Sequence, residues 1–133
     1  MATQLVDSVI AVHRELGCGL LESTYQACLI HELRLRGLDV ESEISIPIRY
    51  KRVLVEAGYR IDMLVEDLIL VENKSVHAIL PIHMAQVLTY LRLSGRTLGF
   101  LINWNVLLIK DGIHRISNGH PDSAETRNRR NAS

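Results

Sequence analysis

The chain reads as an α/β (α+β) protein with a mixed central sheet flanked by helices in the order ααβββαββ, and three features of the sequence carry that reading. Apolar residues recur at helical spacing up to Gly37 and at two-residue spacing from Asp39 onward. Polar turns at Tyr50–Arg52 and Glu66–Asp67 cut the second stretch into strands. Pro81 then opens a further helical stripe, which is followed by the nearly continuous apolar run Leu98–Trp104, typical of a strand buried on both faces.

Each element has its own signal. Leu5, Val9, Val12 and Leu16 recur at helical steps with Asp7, Arg14 and Glu15 between them, which predicts a first helix over residues 4–16 ended by Gly17-Cys18-Gly19. A second helix is predicted from Leu21 to Arg36, with Gly37 as its stop. Ile44, Ile46 and Ile48 alternate with polar residues as in a half-buried strand, and Pro47 within it points to a sheet edge or a bulge. Strands over Val53–Val65 and Leu68–Val76 complete an antiparallel meander. Met84, Val87, Leu88 and Leu91 form the stripe of the third helix, which Ser94-Gly95 ends. Residues 106–116 supply one more strand or hairpin arm, and 117–133 is a polar, Arg-containing stretch expected to be a disordered tail. The expected organisation is therefore one domain, 1–116, followed by that tail.

Composition sets the boundaries. A chain of 133 residues that is 47% hydrophobic can bury a core without staples, and its zero formal charge means that any nucleic-acid role must come from local charge. Cys18 and Cys28 form no paired framework, and the N-terminus lacks a basic start followed by an apolar block, so the expected location is the cytoplasm. No apolar stretch approaches the ~20 residues of a membrane span. The six histidines contain no H-x-x-x-H pair, which favours surface or capping roles over zinc. His13 is expected to pack against or hydrogen-bond the Gly17–Gly19 loop. Arg34, Arg36, Arg49, Lys51, Arg52, Arg60, Arg92 and Arg96 are compatible either with a nucleic-acid path, for which Arg60 is the best candidate because it shares a strand face with Asp62, or with an ordinary solvated surface.

The chemistry concentrates on Asp62 and Glu72-Asn73-Lys74. Glu-x-Lys puts two charged side chains on one face of a strand. With a turn at Val65–Asp67, Leu64 pairs with Leu68 and Asp62 with Leu70, which makes Asp62 and Glu72 diagonal neighbours within ~8 Å. Burying two carboxylates together is costly unless a charge compensates them, and a divalent cation is one good compensator. From spacing alone, an ion pair of Lys74 with Glu72 or Asp62 on a solvated face is the simpler reading.

The resemblance of a wider set of residues changes that balance. Gly19-Leu20-Leu21-Glu22-Ser23-Thr24-Tyr25 matches G-x-x-E-x-x-Y, and the match extends from His13 through Leu33–Gly37, Ile46-Pro47, Tyr50-Lys51, Tyr59–Asp62, Glu72–Lys74 and Gln86-x-x-x-Tyr90 to Leu101–Asn103. In these motifs the chain resembles the GxxExxY proteins, a branch similar to PD-(D/E)xK nucleases. The resemblance implies a restriction-endonuclease-like core, with Asp62 and Glu72 as metal ligands and Lys74 as a charge-stabilising or water-orienting group. It also implies Glu22 as a helix-borne acid near the metal, and Gln86 and Tyr90 as the Q-x-x-x-Y element of the RecB-like branch. Ile61 stands where the motif has Pro. Asn73 stands where an apolar residue is usual, and its backbone carbonyl is a further candidate ligand. The implied cofactor is Mg²⁺, with Mn²⁺ as a substitute, and the implied partner is nucleic acid, expected to be DNA, with a homodimer as an option. The rival reading is a catalytically inactive nuclease-fold module that binds nucleic acid or a protein.

Overall fold

A computed structural model describes residues 1–119, so most of the expected tail lies outside the described residues. Two helices come first, α1 (Ala2–Leu16) and α2 (Glu22–Leu35). The meander β1 (Val40–Tyr50), β2 (Val53–Val65) and β3 (Ile69–Lys74) follows, then α3 (Pro81–Ser94), β4 (Leu98–Asn103), a 3-10 turn (Ile109–Gly112) and β5 (Ile113–Ser117). The order is the expected one, ααβββαββ. The third strand is shorter than predicted, and Ser117 closes β5 instead of starting a tail.

The five strands form one sheet in chain order. β1, β2 and β3 are antiparallel; α3 carries the chain over to β4, which lies parallel to β3; β5 returns antiparallel. β1 is an edge strand, and its ladder to β2 shifts register between Ile46 and Ile48, so Pro47 occupies both of the places that tolerate a missing donor, an edge and a bulge. His83 takes a capping role: its Nδ1 accepts the Leu80 N–H at 3.0 Å, beside Pro81 in the first turn of α3.

Two apolar layers sandwich the sheet. On one face Leu5, Val9, Tyr25, Leu29 and Leu33 of α1 and α2 pack on Met63, Val71 and Trp104. On the other Val87 and Leu91 of α3 pack on Leu64, Leu70 and Leu101. β3 and β4 are buried on both faces, which explains their lack of alternation. Gly112 is required where the 3-10 turn meets β4, because a Cβ there would lie 2.1 Å from the Asn103 carbonyl oxygen.

Register is the correction of most consequence. Leu64 pairs with Leu70 and Met63 with Val71, not Leu64 with Leu68. A tight turn with Glu66 and Asp67 at positive φ shifts the pairing by two residues from the expected one. An even shift preserves facing, so Asp62 moves from a diagonal position to one opposite Glu72.

Candidate metal and phosphodiester site

The regular β2–β3 ladder ends at Met63↔Val71, and side chains take over the next bonds. The Asp62 N–H donates to Glu72 Oε1 at 2.9 Å, and the Asn73 N–H donates to Asp62 Oδ2 at 2.8 Å. Each carboxylate thus closes the neighbouring strand's backbone while its second oxygen forms no hydrogen bond among the described residues. Glu72 is only 4% exposed.

Electrostatics follow from that placement. Burial, reinforced by the Asp62 charge, pushes the Glu72 carboxyl up to about 8 against the pull of the Asp62 N–H and Lys74. Burial likewise pushes Asp62 up to about 6, with Glu43 and Glu22 adding to the rise and the Asn73 N–H and Lys74 opposing it. At neutral pH, without a cation, the pair therefore holds about one proton. The donor set fits a hard divalent cation: two adjacent carboxylates, oxygen donors only, each with an uncommitted oxygen and each destabilised as an anion.

The other expected site residues gather around this pair to different degrees. Lys74 lies close enough to lower both carboxyls, yet among the described residues it is within ion-pair distance of neither, so the simple ion pair expected from spacing does not form. Glu22 starts α2 and is exposed; its charge reaches both carboxylates. No group of three His, Cys, Asp or Glu able to hold a metal occurs among the described residues, so Glu22 stands outside the immediate pair. Gln86 Nε2 donates to the Tyr90 hydroxyl at 3.0 Å on α3. Burial raises the Tyr90 phenol, and the charges of Glu72 and Asp62 add to that rise, which places this element beside the carboxylates.

Asn73 faces the α1–α2 layer and is fully buried. Its Oδ1 accepts the Trp104 Nε1–H at 2.9 Å, and its amide approaches Gln26 Oε1 at 3.4 Å and Met63 Sδ at 3.3 Å. The polar side chain thereby acquires the partners its burial demands. Gln26, which sequence reasoning passed over, donates to Glu43 Oε1 at 2.8 Å and to the Asp62 carbonyl at 3.4 Å, tying α2 to the strand end that carries the site.

Glu22 is exposed, whereas Tyr25, three residues later, lies in the core. It is fully buried, stacks on Trp104 with centroids 4.8 Å apart, donates its hydroxyl to the Gly17 carbonyl at 2.7 Å and accepts the Leu20 N–H at 3.2 Å. The motif tyrosine thus fastens the loop that delivers Glu22. His13 bonds the glycine loop as expected, through its backbone, whose carbonyl accepts the Gly17 N–H at 2.7 Å, and its ring reaches elsewhere, with Nε2 bonding the Val106 carbonyl at 3.0 Å. A carbonyl only accepts, so that nitrogen carries the proton.

Compared with curated proteins and with solved structures, the chain has no match in either set. The family model described as the PD-(D/E)XK nuclease superfamily matches residues 1–116. That span covers every element from α1 through the body of β5 and includes all of the site residues above. The chain therefore belongs to the PD-(D/E)XK nuclease superfamily.

Proposed function

We propose that this protein is a metal-dependent nuclease of the GxxExxY, RecB-like kind that hydrolyses phosphodiester bonds in DNA, using Mg²⁺ or Mn²⁺ held by Asp62 and Glu72. The observation that carries the reading is the buried pair itself, two carboxylates whose burial disfavours both charges. Such a pair is a poor structural device, because two well-packed apolar residues would serve the sheet at less cost. It is a good receptor for a cation.

A divalent cation bound there supplies charge neutralisation at the phosphate and acidifies water. Asp62 and Glu72 would hold it, and Glu22 and the Asn73 backbone carbonyl are the candidates to complete the set. Lys74, without a direct carboxylate partner among the described residues, supports the negative charge that develops on the phosphate. Gln86 and Tyr90 form a bonded pair beside Glu72 and orient the substrate.

The test is incubation of pure protein with supercoiled plasmid, linear duplex, single-stranded DNA and RNA, in Mg²⁺, Mn²⁺ or chelator. The reading predicts metal-dependent cleavage of DNA that Asp62→Asn abolishes. No cleavage of any substrate with either metal would replace it with the binding-only module, which the neutral overall charge and the two-carboxylate site also allow.

A further inference from the structure

Beyond Asp62, β2 has lost β3 as a neighbour and continues outward with β1 alone, through Ile44↔Ile61 to Tyr50↔Val53. β1 sets the length, because β2 bulges opposite Pro47, and the six steps from Ile44 to Tyr50 at ~3.3 Å each make an arm of roughly 20 Å. It leaves the sheet at the end where Glu72 and Lys74 lie, because β2 runs antiparallel to β3. A register shift and the positive φ of Gly58 (77°) break the ladder partway along.

The arm is unlike the rest of the chain in charge. Between Pro47 and Arg60 stand Arg49, Lys51, Arg52 and Arg60 against Glu56 alone, in a protein whose net charge is zero. All four cations are exposed, and none has an acidic partner within ion-pair distance among the described residues. At the tip Lys51 and Arg52 take φ of 46° and 71°, a left-handed two-residue turn for which Asn-Gly is the favoured sequence. Two long cationic residues held where glycine is preferred are backbone strain kept at the end of the arm. Tyr50 and Tyr59 add exposed aromatic surface to it, 62% and 47% accessible.

We propose that this hairpin is a DNA-gripping arm that engages the phosphate backbone of a B-form duplex roughly half a helical turn from the bond to be cut. This deepens the nuclease reading and rests on it. The dimensions fit: a two-stranded ribbon enters the major groove of B-form DNA, and a ~20 Å reach covers roughly half of the ~34 Å of one turn. Arg60, two residues from Asp62, holds the near phosphates; Arg49, Lys51 and Arg52 hold the far ones. The deep, narrow major groove of duplex RNA does not admit such a ribbon. The exposed apolar residues Val53, Leu54 and Val55 make a second copy of the chain the competing occupant.

The experiment is fluorescence anisotropy of labelled duplexes of about 5 base pairs, closed by a hairpin loop, and about 24 base pairs in chelator, at several salt concentrations, lengths that stop short of and exceed the arm's reach. R49A/K51A/R52A is expected to lose about tenfold or more in affinity for the long duplex, with the salt slope reduced by about two to three, and to bind the short one as the parent does. The charge-conserving K51R/R52K is expected to retain parental affinity, which separates charge from folding. Equal affinity and slope for parent and triple variant would overturn the proposal, as would a loss confined to single-stranded DNA or duplex RNA. A parent dimer that the triple variant breaks in sedimentation, with DNA affinity unchanged, would assign the arm to contact between copies instead. Because binding is read without metal, arm-dependent affinity without cleavage sinks only the nuclease reading, and cleavage without arm-dependent affinity sinks only the arm.

Discussion

Glu72 sits at the point where burial, charge and backbone bonding meet, and its behaviour with pH is a direct consequence. Its carboxyl rises from an ordinary 4.5 to about 8, and that of Asp62 from 3.8 to about 6. Between these limits the folded protein binds protons more tightly than the unfolded chain, so metal-free stability falls as pH rises from about 4 through about 8. Thermal melts in chelator should show that decline. Glu72→Gln should flatten it and melt above the parent at pH 8, by about 5 °C or more; equal slopes for the two would contradict the account of Glu72. Lys74 answers a different question. With no direct carboxylate partner among the described residues, Lys74→Met should keep the parental melting temperature and metal response while cleaving about 100-fold more slowly. Unchanged cleavage would remove Lys74 from the chemistry.

Among the elements, the α1–α2 connection and the β2–β3 hairpin place the site. Tyr25 donates to the Gly17 carbonyl and accepts the Leu20 N–H, so Tyr25→Phe should cost ~1–2 kcal/mol and speed amide exchange at Leu20–Thr24 while leaving the sheet protected. Uniform loss of protection would mean that the hydroxyl serves the whole core and not the loop. Much of this level was legible in the sequence. The change of period at Asp39 and the Gly and Pro punctuation located the helices and strands, because such signals arise within a few residues of chain. The common facing of Asp62 and Glu72 survived a two-residue error in register, since an even slip keeps every side chain on its face. What stayed hidden depends on long-range packing. Trp104 reaches Asn73 across 31 residues and Gln26 reaches it across 47, so no local pattern marks Gln26 as a link between α2 and the site. The partner of the His13 ring, a carbonyl 93 residues away, stayed hidden for the same reason, whereas the backbone bond of His13 to Gly17 is local.

Seen as a whole, the molecule is a sheet packed between α1–α2 and α3, and the carboxylate pair lies where β2 parts from β3. Both faces of the sheet bury an apolar cluster, which offsets one costly feature, and a cation that binds only the folded state converts that cost into added stability. Proton and cation compete for the same carboxylates, so the metal increment should be larger at pH 8 than at pH 6. The central claim is tested most directly by the melting temperature at pH 8 against Mg²⁺ and Mn²⁺ concentration, for the parent, Asp62→Asn and Glu72→Gln. The account predicts a parental rise of several degrees at saturating metal, equivalent to ~3 kcal/mol at a hundredfold excess over Kd, and no rise in either variant. A parent indifferent to both metals, or variants that respond as the parent does, would contradict it.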